Sequence, residues 1–336
     1  MSQHLPDPAT ITSAAELALR APSVHNSQPW RIRVSTGSVH LYADPDLHLM
    51  QTDPDGRDLY VSCGIMLHHM RIALEALGWR AEVTRLPITE DPYHIASLAL
   101  HPHNPSEHVV ALAAAIPRRR SDRRWYSSWP VPEAHLATLG KRAAAEGVVL
   151  DRAQMSTFFR RAAVTAAEAH AKDPLYQDEM ALWSGNHRIE DGVPGANVPA
   201  SPAPADDSSR NMPTRAFAAP SLEQTAHVES DDDAGVLLLV STPGDDRASQ
   251  VRAGEAASAI LLEATAMGLA TCAFTEPLEL PHTRRLIQQH VSSTHSFPQL
   301  IIRTGWAPMN ADPLPPTPRR PVTAVVVGID SNVPVT

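Results

Sequence analysis

Two stretches of the sequence bring together side chains that could bind an anion and a polar ligand edge. In the first, Arg119, Ser121 and Arg123 alternate along the chain, so an extended backbone would direct all three side chains to one side. Arginine forks bind phosphate oxygens in pairs, and a hydroxyl supplies a further donor. The stretch is therefore a candidate phosphate clamp, although an arginine run can also be a solvated surface or a nucleic-acid patch.

The second stretch, at residues 22–30, has the sequence PSVHNSQPW. The carboxamides of Asn26 and Gln28 offer both hydrogen-bond donors and acceptors. Ser23 adds a hydroxyl, and Pro22 fixes the turn. These residues could instead form an Asx-type turn that satisfies only its own backbone. The stretch thus predicts either a ligand-binding loop or a structural turn.

Hydrophobic periodicity predicts the elements that would position these stretches. Helical patterns cover residues 13–20, 58–77 and 248–267. The uninterrupted apolar run at 235–242 predicts a buried central strand. Residues 184–233 are rich in Pro, Gly, Ala, Ser and Asp with little periodicity, which indicates either a disordered insertion or a lid over a pocket.

An internal repeat links the two halves of the chain. Gly64 precedes an apolar helical stripe that ends at Gly78, and Gly254 precedes another that ends at Gly268, with the same spacing. A short strand pattern follows each stripe. Helix-glycine-strand patterns are common, so the repeat alone is weak evidence. A second observation is that the sequence pattern begins again after Pro117, at Arg118. Together they indicate duplication of one α+β unit.

Composition narrows the class of protein. The net charge is −9, whereas nucleic-acid binders usually carry a basic surplus. Hydrophobic residues make up 43% of the chain, and no uncharged run approaches the ~20 residues of a membrane span. The cysteines, Cys63 and Cys272, each lie in an apolar stretch, which favours buried structural thiols over a redox pair. We therefore expect a cytoplasmic protein with no nucleic-acid or membrane partner.

The two stretches resemble segments of one protein family. PSVHNSQPW at 22–30 resembles the flavin-contacting PSxxNxQPW segment of FMN-dependent nitroreductases, and RRSDR at 119–123 resembles their RxSxR phosphate-binding segment. An ordinary nitroreductase has both in one short chain, phosphate segment first, and two chains pair. Here the order is reversed and each half has one segment, which is similar to the two-lobed single-chain Acg-type nitroreductase-like proteins. The resemblance implies an α+β nitroreductase-like fold, internally duplicated around one FMN, with half-units at 1–115 and 116–336 and a lid at 184–233.

The resemblance also implies which residues hold the FMN. These are Pro22, Ser23, Asn26, Gln28, Arg119, Ser121 and Arg123, with Arg319 and Arg320 of the proline-rich tail (312–328) as a second clamp. Arg20 could place positive charge near the flavin ring or cap its helix. Because the flavin itself carries the hydride, no catalytic side chain is expected. The histidines at 68–69 and 101–103 lack metal-ligand spacing, so no metal site is expected.

The function implied is NAD(P)H-dependent hydride transfer, through FMN, to a small-molecule acceptor such as a nitroaromatic compound or a quinone. One alternative is non-catalytic storage or sequestration of FMN, because a lid would keep nicotinamide from the face of the ring. A second alternative is a flavin-free interaction protein. Since fusion already pairs the two half-units, the chain is expected to be a monomer (a pseudo-dimer) or a homodimer.

Overall fold

A computed structural model describes residues 6–35, 38–185, 188–200, 215–225 and 233–327. Its strands, in chain order, are β1 (Trp30–Ser35), β2 (Ser38–Ala43), β3 (Trp79–Arg85), β4 (His94–Pro102), β5 (Val149–Ala153), β6 (Val236–Thr242), β7 (Ala270–Phe274), β8 (Phe297–Gly305) and β9 (Val326–Val327). Its helices are α1 (Pro8–Ala18), α2 (Arg57–Ala76), α3 (Glu107–Ala115), α4 (Glu133–Ala145), α5 (Thr157–Lys172), α6 (Pro174–Trp183), α7 (Arg247–Ala266), α8 (Glu276–Glu279), α9 (Pro281–His290) and α10 (Val322–Val325).

The strands form two sheets. The first has the order β3-β4-β2-β1-β9 and the second the order β5-β6-β8-β7. Most neighbours are antiparallel, but β9 pairs in parallel with β1, with Val326 opposite Ile32. The proline-rich tail therefore leaves the second sheet and ends as an edge strand of the first.

Burial along the strands follows their position in the sheets. In β2, Val39, Leu41 and Ala43 are buried and alternate with half-buried residues, as expected for a strand with one face on the core. In β6 every residue is buried, because this strand lies inside its sheet with side chains packed on both faces. The strand predicted at 235–242 is thus confirmed.

The helices α2 and α7 lie at the centre of the molecule. Each is 20 residues long, and residues such as Leu67 and Ile260 are completely buried. Their apolar side chains belong to one core that also includes residues of both sheets. Burying such a side chain contributes roughly 1.5–3 kcal/mol, so this shared core holds the two sheets in one body.

The backbones of α2 and α7 touch at two glycines. A methyl group on Gly64 would overlap the carbonyl oxygen of Val251, and one on Gly254 would overlap that of Val61. The Cα of each glycine also lies within 3.0 Å of the position that a Cβ on the other would take. Only a residue without a Cβ allows so close an approach.

The predicted helices are confirmed, with small shifts at their ends. The helix predicted from 13 begins at Pro8, because the Asp7 carboxylate accepts a hydrogen bond from Thr10 N at 2.6 Å and so caps the helix earlier. Gly78 and Gly268 end α2 and α7 with φ values of 90° and 82°. Glycine adopts these angles without a steric penalty.

Several features were not anticipated from the sequence, among them the short helices α8 and α10. The helices α3 and α9 and the strand β5 lack strong patterns of their own, and β5 is formed by antiparallel pairing with β6. Cys63 is buried, as predicted, but Cys272 is only half-buried, because β7 is an edge strand of its sheet. None of the helices in the described ranges has the length and apolar character needed to cross a membrane.

The architecture is mixed α+β, but the internal duplication stays a prediction. The equal lengths of α2 and α7, and the facing glycines, accord with it. The division into 1–115 and 116–336 also stays a prediction, and the pairing of β9 with β1 shows that Val326 and Val327 of the second range lie on the first sheet.

Replacing Gly64 by alanine should lower the free energy of unfolding by about 1–3 kcal/mol, because the new methyl group must displace the Val251 carbonyl. Gly140 in α4 has no atom within 4 Å of an added Cβ. Gly140→Ala should therefore raise that free energy by up to about 1 kcal/mol through helix propensity alone. Urea unfolding measures both variants, and an unchanged stability in Gly64→Ala would contradict the close helix contact.

Candidate functional site

The stretch at 22–30 forms a strained loop after α1. Val24–Asn26 is a turn of 3-10 helix, and His25, Asn26 and Gln28 have φ values of 46°, 55° and 53°. Non-glycine residues pay of order 1–3 kcal/mol for such conformations. The hydroxyl of Ser23 stabilises the loop by accepting from Gln28 N at 2.8 Å. Strain of this kind is concentrated at functional sites, which favours the ligand-binding interpretation over a simple turn.

The carboxamides of Asn26 and Gln28 bind other parts of the protein. Asn26 Nδ2 donates to the carbonyl oxygen of Gly192 at 2.9 Å. Gln28 Nε2 donates to the carbonyl oxygen of Glu190 at 3.0 Å, and its Oε1 accepts from Arg320 N at 2.9 Å. Gln28 is fully buried. These two amides therefore fasten the insertion and the tail to the loop.

The arginine stretch is attached to the second sheet. Ser121 forms a bridge with Thr271 of β7, and Asp122 N donates to the Thr271 carbonyl oxygen at 2.8 Å. This extended segment places Arg119, Ser121 and Arg123 along one cleft, in agreement with their alternation in the sequence.

That cleft brings the two stretches together. Seven of the nine residues predicted to bind FMN line it: Pro22, Ser23, Asn26, Arg119, Ser121, Arg123 and Arg319. Gln28 and Arg320 do not line it. Arg20, for which the sequence suggested either a charge near the flavin ring or a helix cap, also lines the cleft. The other five lining residues were not predicted from the sequence: His25, Arg120, Val193, Asn197 and Thr317. All nine predicted FMN contacts stay predictions.

The cleft carries positive charge that the protein does not neutralise. Among the residues described as lining it, there are five arginines and no carboxylate. The Nε atoms of Arg119 and Arg319 are buried without a hydrogen-bond partner in the described ranges. Burial, followed by the repulsion of Arg120 and Arg20, lowers the pKa of Arg119 to about 10. Burial and the neighbouring Arg119 also hold the pKa of Arg319 well below its usual value.

An anion in the cleft would relieve this electrostatic cost. A phosphate offers several acceptor oxygens and a double negative charge, which suits buried guanidinium groups with unpartnered N–H donors. The chemistry of the donors therefore fits a phosphate-bearing ligand. Among the described residues, by contrast, no group of three or more His, Cys, Asp or Glu is placed to hold a metal ion.

Two described residues of the insertion, Arg215 and Phe217, contact residues that line the cleft, and the lid predicted at 184–233 stays a prediction. Arg215 donates through Nη1 to His25 Nε2 at 2.7 Å and forms an ion pair with the buried Glu279. The Phe217 ring meets the His25 ring edge-on, with the centroids 5.9 Å apart, and lies 4.9 Å from the Arg123 guanidinium carbon. Burial and the charge of Arg215 lower the pKa of His25 well below its usual value, so the neutral ring accepts the hydrogen bond.

Comparisons with known proteins bear directly on this arrangement. The Nitroreductase family profile matches residues 116–306. A Mycobacterium tuberculosis protein provisionally named NAD(P)H nitroreductase Rv3131 is 48% identical over 328 residues, covering 97% of this chain and 93% of that protein. The chain belongs to the nitroreductase family. Another relative from the same organism, provisionally named NAD(P)H nitroreductase acg, is 36% identical over 322 residues, covering 94% of each chain.

Membership of the nitroreductase family confirms the resemblance seen in the two stretches. It also confirms the predicted α+β nitroreductase-like fold class and the prediction of an oxidoreductase. The family profile covers only the half that contains the arginine stretch, whereas the relatives match nearly the whole chain. The loop at 22–30 lies outside the residues that the profile matches.

Two solved structures show a weaker likeness. An FMN-bound nitroreductase from Bacteroides fragilis has 14% identity and a TM-score of 0.37, and the match covers 60% of this chain and 90% of that one. A provisionally named nitroreductase from Anabaena variabilis has 12% identity and a TM-score of 0.44, with 91% and 74% covered. At these TM-scores the likeness carries no argument about the site.

Inorganic phosphate should raise the melting temperature of the cofactor-free protein, because an anion that binds only the folded state stabilises it, by about 2.7 kcal/mol at a hundredfold excess over its Kd. Calorimetry at an ionic strength matched with chloride measures the shift. Arg119→Gln should lose the response, since this side chain is buried in the cleft. Arg118→Gln should keep it, since Arg118 is exposed. If phosphate raised the melting temperature of both variants equally, the stabilising phosphate site would lie outside the cleft.

Proposed function

We propose that the protein is an FMN-dependent oxidoreductase that accepts a hydride from NAD(P)H and transfers it to a small-molecule acceptor, a nitroaromatic compound or a quinone. The observation that carries the proposal is the cleft in which both stretches meet around five arginines without a carboxylate in the described lining. Both stretches come from one chain, so we expect FMN to be held without residues of a partner subunit, whether the protein is a monomer or a homodimer.

The lining residues suit the parts of FMN. Arg119 and Arg319, with their unpartnered buried Nε atoms, would hold the phosphate, and the hydroxyl of Ser121 would add a donor. Arg123, farther along the same extended segment, would face the flavin beside Phe217. Pro22, Ser23 and Asn26 would shape the opposite wall. The names of the relatives support NAD(P)H as the reductant.

Two of the predicted ligands would act indirectly. Gln28 is fully buried and holds the backbone of Arg320 and Glu190. The Arg320 side chain points toward Asp44, with 4.0 Å between Nη1 and Oδ2. We therefore assign Gln28 and Arg320 to positioning the loop and the tail around the cofactor.

The bound flavin would supply the hydride chemistry, and the chain would supply position and electrostatics. The arginines would fix the phosphate end and thereby the depth of the ring. The neutral His25 and the Phe217 ring would border the flavin without adding charge, and the insertion would keep water from the ring face. Reduction of a quinone or a nitro group also consumes protons, which solvent would supply at the bound acceptor, so no side chain is assigned as a general acid.

Arg119→Gln should weaken FMN binding about 10- to 100-fold, which corresponds to the roughly 1.5–3 kcal/mol of a hydrogen bond to a charged group. Riboflavin, which lacks the phosphate, should bind wild type and Arg119→Gln equally. Quenching of flavin fluorescence measures both ligands, with Arg118→Gln as the matched control. The phosphate assignment fails if Arg119→Gln weakens riboflavin as much as FMN.

A second function, storage of FMN without turnover, is favoured by a separate observation. Arg215 and Phe217 of the insertion contact His25 and Arg123 of the cleft, and Glu279 holds Arg215 through a buried ion pair. An insertion fixed in this way would stand where nicotinamide must stack on the ring. If the protein stores FMN, the ion pair between Arg215 and Glu279 would keep the insertion closed over the flavin. Reduction by NAD(P)H would instead require the insertion to open.

Anaerobic mixing of the flavin-loaded protein with NADPH separates the two functions. The reductase predicts that the visible flavin absorbance bleaches within seconds in wild type. Glu279→Gln, which leaves Arg215 without its counter-charge and so loosens the insertion, should bleach at least as fast. Glu223→Gln, at an exposed position of the insertion, is the control. Flavin that persists with NADPH in wild type, yet bleaches with dithionite, would establish storage instead.

A further inference from the structure

Asn197 lies in the insertion and reaches the cleft. It ends a short 3-10 turn, Gly195–Asn197, is 3% exposed, and lines the cleft beside the arginines. Its carbonyl oxygen accepts from Arg123 Nη1 at 3.2 Å. Its side-chain Nδ2 donates to the carbonyl oxygen of Pro315 in the tail at 2.8 Å.

The contact with the tail fixes which way the Asn197 amide points. The Pro315 carbonyl can only accept, so the NH2 group must face it, and an exchanged orientation would oppose two oxygens. The Oδ1 atom is then turned away from the tail. It is buried and has no hydrogen-bond partner in the described ranges. A buried amide oxygen without a donor is unfavourable, so this position calls for a donor from outside the protein.

The unpartnered buried atoms of the described cleft lining form a set. They are the Nε donors of Arg119 and Arg319 and the Oδ1 acceptor of Asn197. The donors suit an anionic ligand, and an N–H or O–H group on the same ligand would satisfy the acceptor. The amides of Asn26 and Gln28 are not available for this purpose, because they already bind Gly192, Glu190 and the tail.

We propose that Asn197 is a flavin ligand whose Oδ1 accepts a hydrogen bond from a ribityl hydroxyl or from the N3–H of the flavin ring. The proposal rests on the proposed function and deepens it. The described part of the insertion around Asn197 then forms part of the binding site. Flavin, insertion and tail are joined through one side chain, because the other end of the Asn197 amide holds Pro315.

A cycle of protein and ligand changes tests the contact by fluorescence titration. The proteins are wild type and Asn197→Ala. The ligands are FMN, 3-methyl-FMN, which lacks N3–H, and a 5-phosphopentyl flavin, which lacks the ribityl hydroxyls. Asn197→Ala should weaken FMN about 2- to 10-fold, as expected for a neutral hydrogen bond. The loss should disappear for the one analogue that lacks the donor, and that analogue identifies the donor.

Asn197→Asp provides a second variant, because it keeps an acceptor oxygen but loses the donor to Pro315. Asn197→Asp should bind the three ligands with the same affinity ratios as wild type. Its added negative charge is expected to change the three affinities by a common factor. If Asn197→Ala weakened the binding of all three ligands equally, the role of Asn197 would be only to hold the tail at Pro315, and the proposal would be wrong. Unchanged FMN binding in Asn197→Ala would also overturn it. Failure of wild type to bind FMN would instead overturn the proposed function.

Discussion

The close approach of α2 and α7 is the constraint on which the rest of the structure depends. At Gly64 and Gly254 the two backbones meet with no side chain between them. This contact sets how far apart the two sheets stand, since both pack on the same helix pair. The loop at 22–30 leads directly into β1 of the first sheet. The arginine stretch is attached to the second sheet through the bridge between Ser121 and Thr271 of β7. They can form two walls of one cleft only at a spacing that the helix contact determines.

The cleft contains features that lower the free energy of unfolding, and burial of the apolar core offsets this loss. Three residues of the loop are held in left-handed conformations, and the Nε atoms of Arg119 and Arg319 are buried without a hydrogen-bond partner in the described part of the chain. Each feature is unfavourable for folding alone and favourable for binding, because it leaves donors oriented before the ligand arrives. Such groups persist where the surrounding structure over-determines them. Here the loop is fixed by Ser23 and by the insertion and tail that Asn26 and Gln28 bind.

Much of the fold and part of the site could be predicted from the sequence, because they depend on local pattern. The ends of α2 and α7 follow from glycine chemistry, and the shared direction of Arg119, Ser121 and Arg123 follows from alternation along an extended segment. Asn197 could not be found in this way. It lies in an insertion with little periodicity, and the contacts that hold it at the cleft are with Arg123 and with Pro315 of the tail, both far away in the sequence.

The amide residues show why residue type and spacing do not settle a role. Asn26 and Gln28 have side chains able to bind a flavin edge, and the sequence offered them as ligands on that basis. A carboxamide is satisfied equally well by a backbone carbonyl, and Gln28 finds its partners 162 and 292 positions away along the chain. Contacts at that separation depend on the whole topology, including the return of the tail to the first sheet. The same topology leaves Asn197 Oδ1 without a hydrogen-bond partner in the described ranges, in a segment whose sequence predicted neither a helix nor a strand.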